Sequence, residues 1–294
     1  MTLLQAIILG IVQGLTEFIP ISSTAHLVFA SRLIGLYNGI DAIVRAEQTT
    51  ATIAVIQLGT LLAVLVYFAR DIINITQAFV RDHIALLRGK RRTDGTVKLS
   101  HDAWLGWLVI VGSIPVAVVG LLFKHQIEGT FTKNLWVIAT MMIVVAVLLG
   151  IAELVGKRER SMEQLGISDA LAVGFAQVLA LIPGSSRSGS TIMGGLFAGL
   201  TRETAARFSF LLSIPAIAAS GVLELKEAMH KLPPGTRLPL IVATVVSGVV
   251  GYASIWFLLR FLRTHSTGVF IVYRLLVGAL ILVALVGGYI SASA

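Results

Sequence analysis

The chain has 294 residues, 56% of them hydrophobic and 13% charged, with a mean hydropathy of +0.90. Soluble domains carry about 25% charge, so an ordinary soluble enzyme is excluded and a polytopic membrane protein is expected. The absence of cysteine excludes disulfides, thiolate metal sites and a thiol nucleophile. The net charge of +8 falls at span ends and in one long loop rather than in a binding stripe, so no nucleic acid is expected.

In chain order, the first apolar segment, 3–36, is broken near its middle by Pro20-Ile21-Ser22-Ser23-Thr24-Ala25-His26. It lacks a basic leader region and a small-residue cleavage site, and is therefore expected to belong to the mature protein. Full spans are expected at about 51–69, 104–123 and 135–154, the length that crosses about 30 Å of hydrocarbon. The charged stretch 70–102 between the first two is expected to be a solvated cytoplasmic connection. A second broken segment, 170–200, is interrupted by Pro183-Gly184-Ser185-Ser186-Arg187-Ser188-Gly189-Ser190-Thr191, and spans follow at about 208–223, 238–262 and 269–290. Proline removes an amide donor and pushes its predecessor out of helical geometry, after which Ser and Thr can cap a new helix. Each broken segment is thus expected to enter and leave on one side, with its loop inside protein.

The two hairpins resemble each other. Gly10, Gln13 and Leu15 match Gly174, Gln177 and Leu179 at constant offset, and after a one-residue slip Pro20, Ser22 and Ser23 match Pro183, Ser185 and Ser186. Three spans follow each hairpin, so the second copy enters from the opposite face. The expected fold is all-α, with six transmembrane helices and two re-entrant hairpins in an inverted-topology repeat, 1–155 and 165–294, its broken elements meeting near the midplane. Gly10/Gly14 and Gly195/Gly199 have the small-xxx-small spacing of closely packed helices. Loop basic residues divide fourteen to seven. The richer side, which includes Arg70, Lys90, Arg91, Arg92, Lys98, Arg158, Arg160, Arg202, Arg207 and Arg263, is expected to be cytoplasmic. The poorer side includes Lys124, Lys133, Lys226 and Lys231.

An ionisable group at membrane depth is a functional candidate, because its insertion costs about 2.5–3.5 kcal/mol. Glu17 lies one helical turn after Gln13, on the same face. Ser22, Ser23 and Thr24 can cap a helix whose free amides also receive an anion. His26 titrates near neutrality and can act as base, acid or nucleophile. Arg187 stays charged and its planar fork matches phosphate oxygens. The glycine-rich loop around it, with Ser186, Ser188 and Thr191, can form an anion nest. Gln57 faces either the site or a neighbouring helix. Tyr273 and Arg274 are expected either to bind an anionic headgroup or to snorkel to the interface. Glu153, Glu224 and Glu227 read as bland span ends.

The motifs Gln13-Gly14-Leu15-Thr16-Glu17-Phe18-Ile19-Pro20-Ile21-Ser22-Ser23-Thr24-Ala25-His26, Pro183-Gly184-Ser185-Ser186-Arg187-Ser188-Gly189 and, less specifically, Ile56-Gln57-Leu58-Gly59 resemble the undecaprenyl-diphosphate phosphatase family, the bacitracin-resistance type of integral membrane phosphatase. The likeness runs through nearly the whole chain. It implies hydrolysis of undecaprenyl diphosphate in the bacterial inner membrane, recycling the lipid carrier of cell-wall synthesis. It also implies a divalent cation, Mg²⁺ or Ca²⁺, at the diphosphate, with Glu17 holding the metal or orienting the nucleophile, and leaves room for a homodimer. The expected catalytic residues are Glu17, Ser23, His26 and Arg187; Gln13, Ser22, Thr24, Gln57, Ser186, Ser188 and Thr191 are expected to bind substrate. Ser23, His26 and water stay open as the attacking group. Composition alone also fits an inverted-repeat transporter or flippase for an anionic polyprenyl lipid.

Overall fold

The structure, a computed structural model, describes residues 1–88, 99–123, 134–232 and 235–292, except for the side chains of 42, 220 and 222–231. The loop cations Lys90, Arg91, Arg92, Lys98, Lys124 and Lys133, and the side chains of Glu224, Lys226, Glu227 and Lys231, lie outside the described residues. The described residues form eleven α-helices. They are α1 (Leu3–Phe18), α2 (Ser23–Leu33), α3 (Ala42–Tyr67), α4 (Ala69–Leu87), α5 (His101–Leu122), α6 (Leu135–Val155), α7 (Ile167–Val178), α8 (Arg187–Phe197), α9 (Arg202–Lys231), α10 (Arg237–Leu262) and α11 (Gly268–Val286).

Among the described residues, α3, α5, α6, α10 and α11 are long and apolar enough to cross a membrane. The remaining expected span, 208–223, falls inside the 30-residue helix α9. The arms of the broken segments are shorter. Helix α1 has 16 residues and α2 has 11, roughly 24 and 16 Å at the usual helical rise. Helix α7 has 12 residues, continued by a single 3₁₀ turn at Leu179–Leu181, and α8 has 11. None reaches across the hydrocarbon alone, and α2 packs back on α1 as α8 does on α7.

Close glycine contacts set the helix spacing. Helix α1 lies on α10 through Gly10 and Gly14, where an added Cβ would stand 2.6 Å from the Ala243 carbonyl oxygen and 2.7 Å from Val250. Helix α7 lies on α5 at Gly174, directly against the Gly112 carbonyl. The second expected packing motif is half corrected. Gly195 does touch Ala205, but Gly199 has φ +83° and no neighbour closer than 4.0 Å. Gly199 ends α8 in the left-handed conformation that terminates helices.

The segment expected to be a solvated connection is helical over its first part. Helix α4 presents Ile75 and Phe79 to α5 and packs Ile72 against the core, a helical spacing that its high charge content hides. Phe79 stacks on His83, and the Trp107 indole N–H donates to His83 Nε2 at 3.0 Å. Asp82 accepts from the Ser100 amide at 2.7 Å, just ahead of α5. The hydrogen bonds from Ser100 hold the Asp82 carboxyl down at about 2, against 3.8 when unfolded. A lowered carboxyl pKa adds stability that is complete above the unfolded value and is lost as pH falls through the folded one. Thermal midpoints of the wild type and Asp82→Asn are therefore expected to differ at pH 7 and to converge between about pH 4 and pH 2.

A charged clasp closes one end of the bundle. Glu153 accepts from Arg158 at 3.0 Å, from the Thr267 hydroxyl at 2.7 Å and from Arg202. Arg160 forks onto Asp169 with both nitrogens at 2.6 Å, Arg207 meets Asp71, and Arg263 meets Glu203. Glu153, expected to be bland, therefore joins α6 to the starts of α9 and α11. The arginines involved all come from the side expected to be cytoplasmic.

Candidate active site

The two loops between α1 and α2 and between α7 and α8 meet inside the helix bundle. Each following helix starts on a serine held in the left-handed region: Ser22 at φ 78° and Ser186 at φ 67°. Each serine oxygen accepts an amide three residues on, from Ala25 at 3.5 Å and from Gly189 at 3.2 Å. Non-glycine residues enter this region at a cost, and such strain concentrates at functional sites. The paired caps stand 164 apart, the same offset as Gln13 and Gln177. The expected one-residue slip is thus corrected: Ser22 corresponds to Ser186, and Pro20 to Gly184. On that register Leu181 stands where Glu17 stands in the first hairpin, and Arg187 stands where Ser23 stands. Neither hairpin carries both charges.

Glu17, 9% exposed, is the acidic centre. Its Oε2 accepts from Gln13 Nε2 at 3.1 Å and from the Ser23 hydroxyl at 2.9 Å. Gln13 is oriented in turn by Thr60 of α3, at 3.3 Å. Arg187 Nη1 stands 4.0 Å from Glu17 Oε1, close enough for attraction but beyond hydrogen-bond distance. That nitrogen is buried without an acceptor among the described residues, and so is Gln13 Oε1 without a donor. Buried polar groups are almost always paired. An unfilled guanidinium donor and an unfilled amide oxygen beside one carboxylate mark a place for a ligand with both charged and oxygen-bonding parts. Together with Ser22, Ser23, Thr24, Gln57, Gly184 and Ser186, these side chains line a cavity of about 140 Å³.

The chain belongs to the BacA family. Residues 6–280 match the family described as Bacitracin resistance protein BacA. Similar curated proteins include the undecaprenyl-diphosphatase of Syntrophobacter fumaroxidans, 53% identical over 96% of this chain and 97% of its own length. Those of Chlorobium phaeovibrioides and Mycolicibacterium gilvum are 49% and 45% identical, covering 98% and 99% of this chain and 99% and 100% of their own lengths.

Several expected site residues fall outside the cavity. The His26 ring lies between the Ser22 carbonyl, 2.7 Å from Nδ1, and the Tyr273 hydroxyl, 2.6 Å from Nε2. It faces a separate apolar groove of about 290 Å³ between α2 and α11, lined by Phe29, Val277, Leu280 and Ile281 among others. Thr191 is fully buried, its hydroxyl bonded to the Arg187 carbonyl at 2.7 Å and to Ser209 of α9. It braces α8 and does not reach the cavity. Ser188 donates to the Glu17 carbonyl at 3.4 Å, tying one hairpin to the other.

The role of Arg274 is what sequence reasoning missed. The side chain neither snorkels nor meets a headgroup: it is 0% exposed. Its guanidinium donates to the carbonyls of Met142, Pro20, Met141, Gly184 and Ser185 at 3.0–3.3 Å. The available signal was its place on α11, in line with Phe270, Gly278, Ile281 and Leu285, the helix's buried stripe.

A divalent cation can be tested against these donors. Glu17 and the unpaired Gln13 Oε1 offer the hard oxygen ligands that Mg²⁺ and Ca²⁺ prefer. Among the described residues no cluster of three or more His, Asp or Glu exists. The residues fit a cation that takes most of its ligands from a bound diphosphate, as Mg²⁺ commonly does.

Proposed function

We propose that this chain hydrolyses undecaprenyl diphosphate to undecaprenyl phosphate and inorganic phosphate, recycling the lipid carrier of cell-wall synthesis. The observation that carries the reading is the 4.0 Å approach of Glu17 to Arg187, with the Ser23 hydroxyl donating to that same carboxylate. A hydroxyl bonded to a base is the arrangement of an activated nucleophile, and the names of the curated relatives point the same way. A transporter would need the cation for binding but has no use for a base on a serine.

Arg187 and the unbonded amides at the start of α8 hold the terminal phosphate, whose charge is spread over its oxygens in the transition state. Ser23 Oγ attacks the terminal phosphorus as its proton passes to Glu17 Oε2, and the bond to the bridging oxygen breaks, releasing undecaprenyl phosphate. Glu17, deprotonated again to solvent, takes a proton from water. The hydroxide equivalent displaces Ser23 Oγ from phosphorus, and Glu17 returns its proton to the serine. Direct attack by water activated at Glu17 gives the same products. His26, held by Tyr273, serves to place the start of α2 and the entrance to the apolar groove, along which the prenyl chain lies.

Glu17 with Gln13 would hold a divalent cation, Mg²⁺ or Ca²⁺, which when bound neutralises the diphosphate beside the carboxylate. The protein is a multi-pass protein of the bacterial inner membrane, with six spans and two re-entrant hairpins in an inverted-topology repeat, 1–155 and 165–294. The matched serine caps, and the parallel packing of α1 on α10 and of α7 on α5, support that reading. Glu17, Ser23 and Arg187 all come from one chain. The decisive assay is phosphate release from a long-chain polyprenyl diphosphate by detergent-solubilised protein. Release that stops with chelator and resumes with Mg²⁺ or Ca²⁺ is the expected result. Movement of the lipid between leaflets of reconstituted vesicles with no phosphate released would replace the hydrolase by a carrier.

A further inference from the structure

Arg274 poses a physical problem that helix packing does not answer. Its guanidinium is wholly buried, and among the described residues no carboxylate pairs with it: all its acceptors are backbone carbonyls. Burying an unpaired charge is costly, and an apolar side chain would fill the α11–α6 interface without that cost. What arginine alone supplies is a rigid fork of donors. Two of its acceptors belong to α6, one to the first loop and two to the second.

The effect on the second loop follows from peptide geometry. Among the described residues every peptide is trans, so a carbonyl and the next residue's N–H point in opposite directions. Drawing the Ser185 carbonyl onto Arg274 Nη2 at 3.0 Å turns the Ser186 N–H the other way, and Ser186 lines the polar cavity. Among the described residues the amides of Ser186, Arg187 and Ser188 have no acceptor. In the first loop the Pro20 carbonyl is drawn to Nη1 at 3.3 Å, while the next amide, Ile21, turns back onto Ile19 at 2.7 Å. There the bond fixes where the chain enters Ser22 and Ser23. Close approach is needed for all of this. A Cβ on Gly189 would stand 3.3 Å from Arg274 Nη1 and 3.2 Å from the Ser186 Cβ.

We propose that Arg274 is a positioning residue: one buried guanidinium holds both loops by their carbonyls, so that the amides of Ser186, Arg187 and Ser188 face the substrate's terminal phosphate and Ser23 stands opposite Arg187. The proposal rests on the phosphatase reading for its substrate, but the loop geometry stands apart from it. Arg274 touches no reacting atom and acts through the backbone it holds.

The test uses the full-length protein in detergent, comparing wild type, Arg274→Met and Arg274→Lys. Four quantities are read: kcat and KM for phosphate release, inhibition by inorganic phosphate, the thermal midpoint, and hydrogen exchange over residues 182–190. Folded Arg274→Met is expected to lose about 100-fold in kcat, the scale of a lost set of oriented donors. Its KM, set by the prenyl chain, should change far less, and inhibition by inorganic phosphate should weaken about tenfold, as for a lost charge-assisted contact. Exchange over 182–190 should quicken while other segments hold. Arg274→Lys, which keeps the charge and some donors, should recover part of each loss. Unchanged kcat, phosphate inhibition and loop exchange in folded Arg274→Met would overturn the proposal. So would a lower thermal midpoint with wild-type turnover in the protein that remains folded.

If neither Arg274 variant folds, Gly189→Ala keeps the arginine and presses on it and on Ser186. A several-fold fall in kcat with altered loop exchange is expected from a misplaced site, and wild-type values for both would overturn the proposal. Should the wild type release no phosphate, the phosphatase reading fails, while the exchange measurement, which needs no turnover, still decides the role of Arg274.

Discussion

Glu17→Gln is expected to cut phosphate release by about 1,000-fold or more, within the range that a positioned base contributes, with the protein still folded. The exchange removes the charge and presents an NH₂ group where one of the carboxylate oxygens stood. Oε2 accepts from both Gln13 Nε2 and Ser23 Oγ; an amide oxygen can still satisfy these donors but cannot take the serine proton. KM should rise far less than kcat falls, because a cation at the site would keep its ligands from the diphosphate itself. Arg187→Ala should differ in kind. Its Nη1 has no hydrogen-bond acceptor in the free protein, so its removal costs no internal hydrogen bond there and falls mainly on substrate. Both kcat and KM should worsen, with kcat/KM down about 1,000-fold, the scale set by removing a charge clamp from a transferring phosphoryl group. Steady-state phosphate release over a range of lipid concentration separates the two patterns. Either variant retaining more than about a tenth of wild-type kcat/KM, that is, losing less than about 1.4 kcal/mol of transition-state stabilisation, would remove the Glu17–Arg187 centre.

That centre was legible because a membrane interior makes ionisable groups conspicuous: Glu17 and Arg187 stand out against apolar surroundings, and the prolines beside them mark where helices stop. Helix ends followed for the same reason, since hydropathy and breakers act locally. What stayed hidden depends on which way a side chain turns about its helix. Arg274 near a helix start has two outlets, the membrane surface or the interior, and only its alignment with Phe270 and Gly278 on the stripe that meets α6 decides between them. His26 follows the serines by a single turn, yet its ring is taken up by the Ser22 carbonyl and the Tyr273 hydroxyl. Thr191 looks like part of an anion nest in a list of residues, but one turn into α8 it already faces Ser209. The one-residue slip between the hairpins arose from matching prolines. The structure matches the left-handed serine caps Ser22 and Ser186 instead, a register that sets Pro20 against Gly184, two residues of opposite φ. The helix at Ala69–Leu87 was hidden by its charges, two of which, Asp71 and Asp82, meet Arg207 and the Ser100 amide rather than open solvent.

Gly184→Ala is expected to be far more damaging than Gly199→Ala, and conformation alone does not explain the difference. Both glycines lie in the left-handed region, at φ +91° and +83°, where a side chain costs about 1–2 kcal/mol. Around Gly199 the nearest atoms are 4.0 Å from the added Cβ, so that cost is the whole effect, and turnover should match wild type. At Gly184 the methyl would overlap the Ile138 carbonyl oxygen and stand 2.8 Å from the Ile138 carbonyl carbon. These are backbone atoms of α6 and cannot rotate aside. Overpacking adds about 1–3 kcal/mol where a core must shift, and here the loop can yield only by leaving α6. Leaving α6 also breaks the Gly184 and Ser185 carbonyls away from Arg274, which is itself fixed to α6 through Met141 and Met142. Stability and catalysis should therefore fall together, with a lowered thermal midpoint and at least about a 100-fold loss of kcat, since the displaced loop carries the phosphate-binding donors. Thermal unfolding and phosphate release measured on the two variants side by side check this. If Gly184→Ala behaved like Gly199→Ala, the second loop would not be pressed against α6, and the position of Arg187 beside Glu17 would have to be set by something other than that contact.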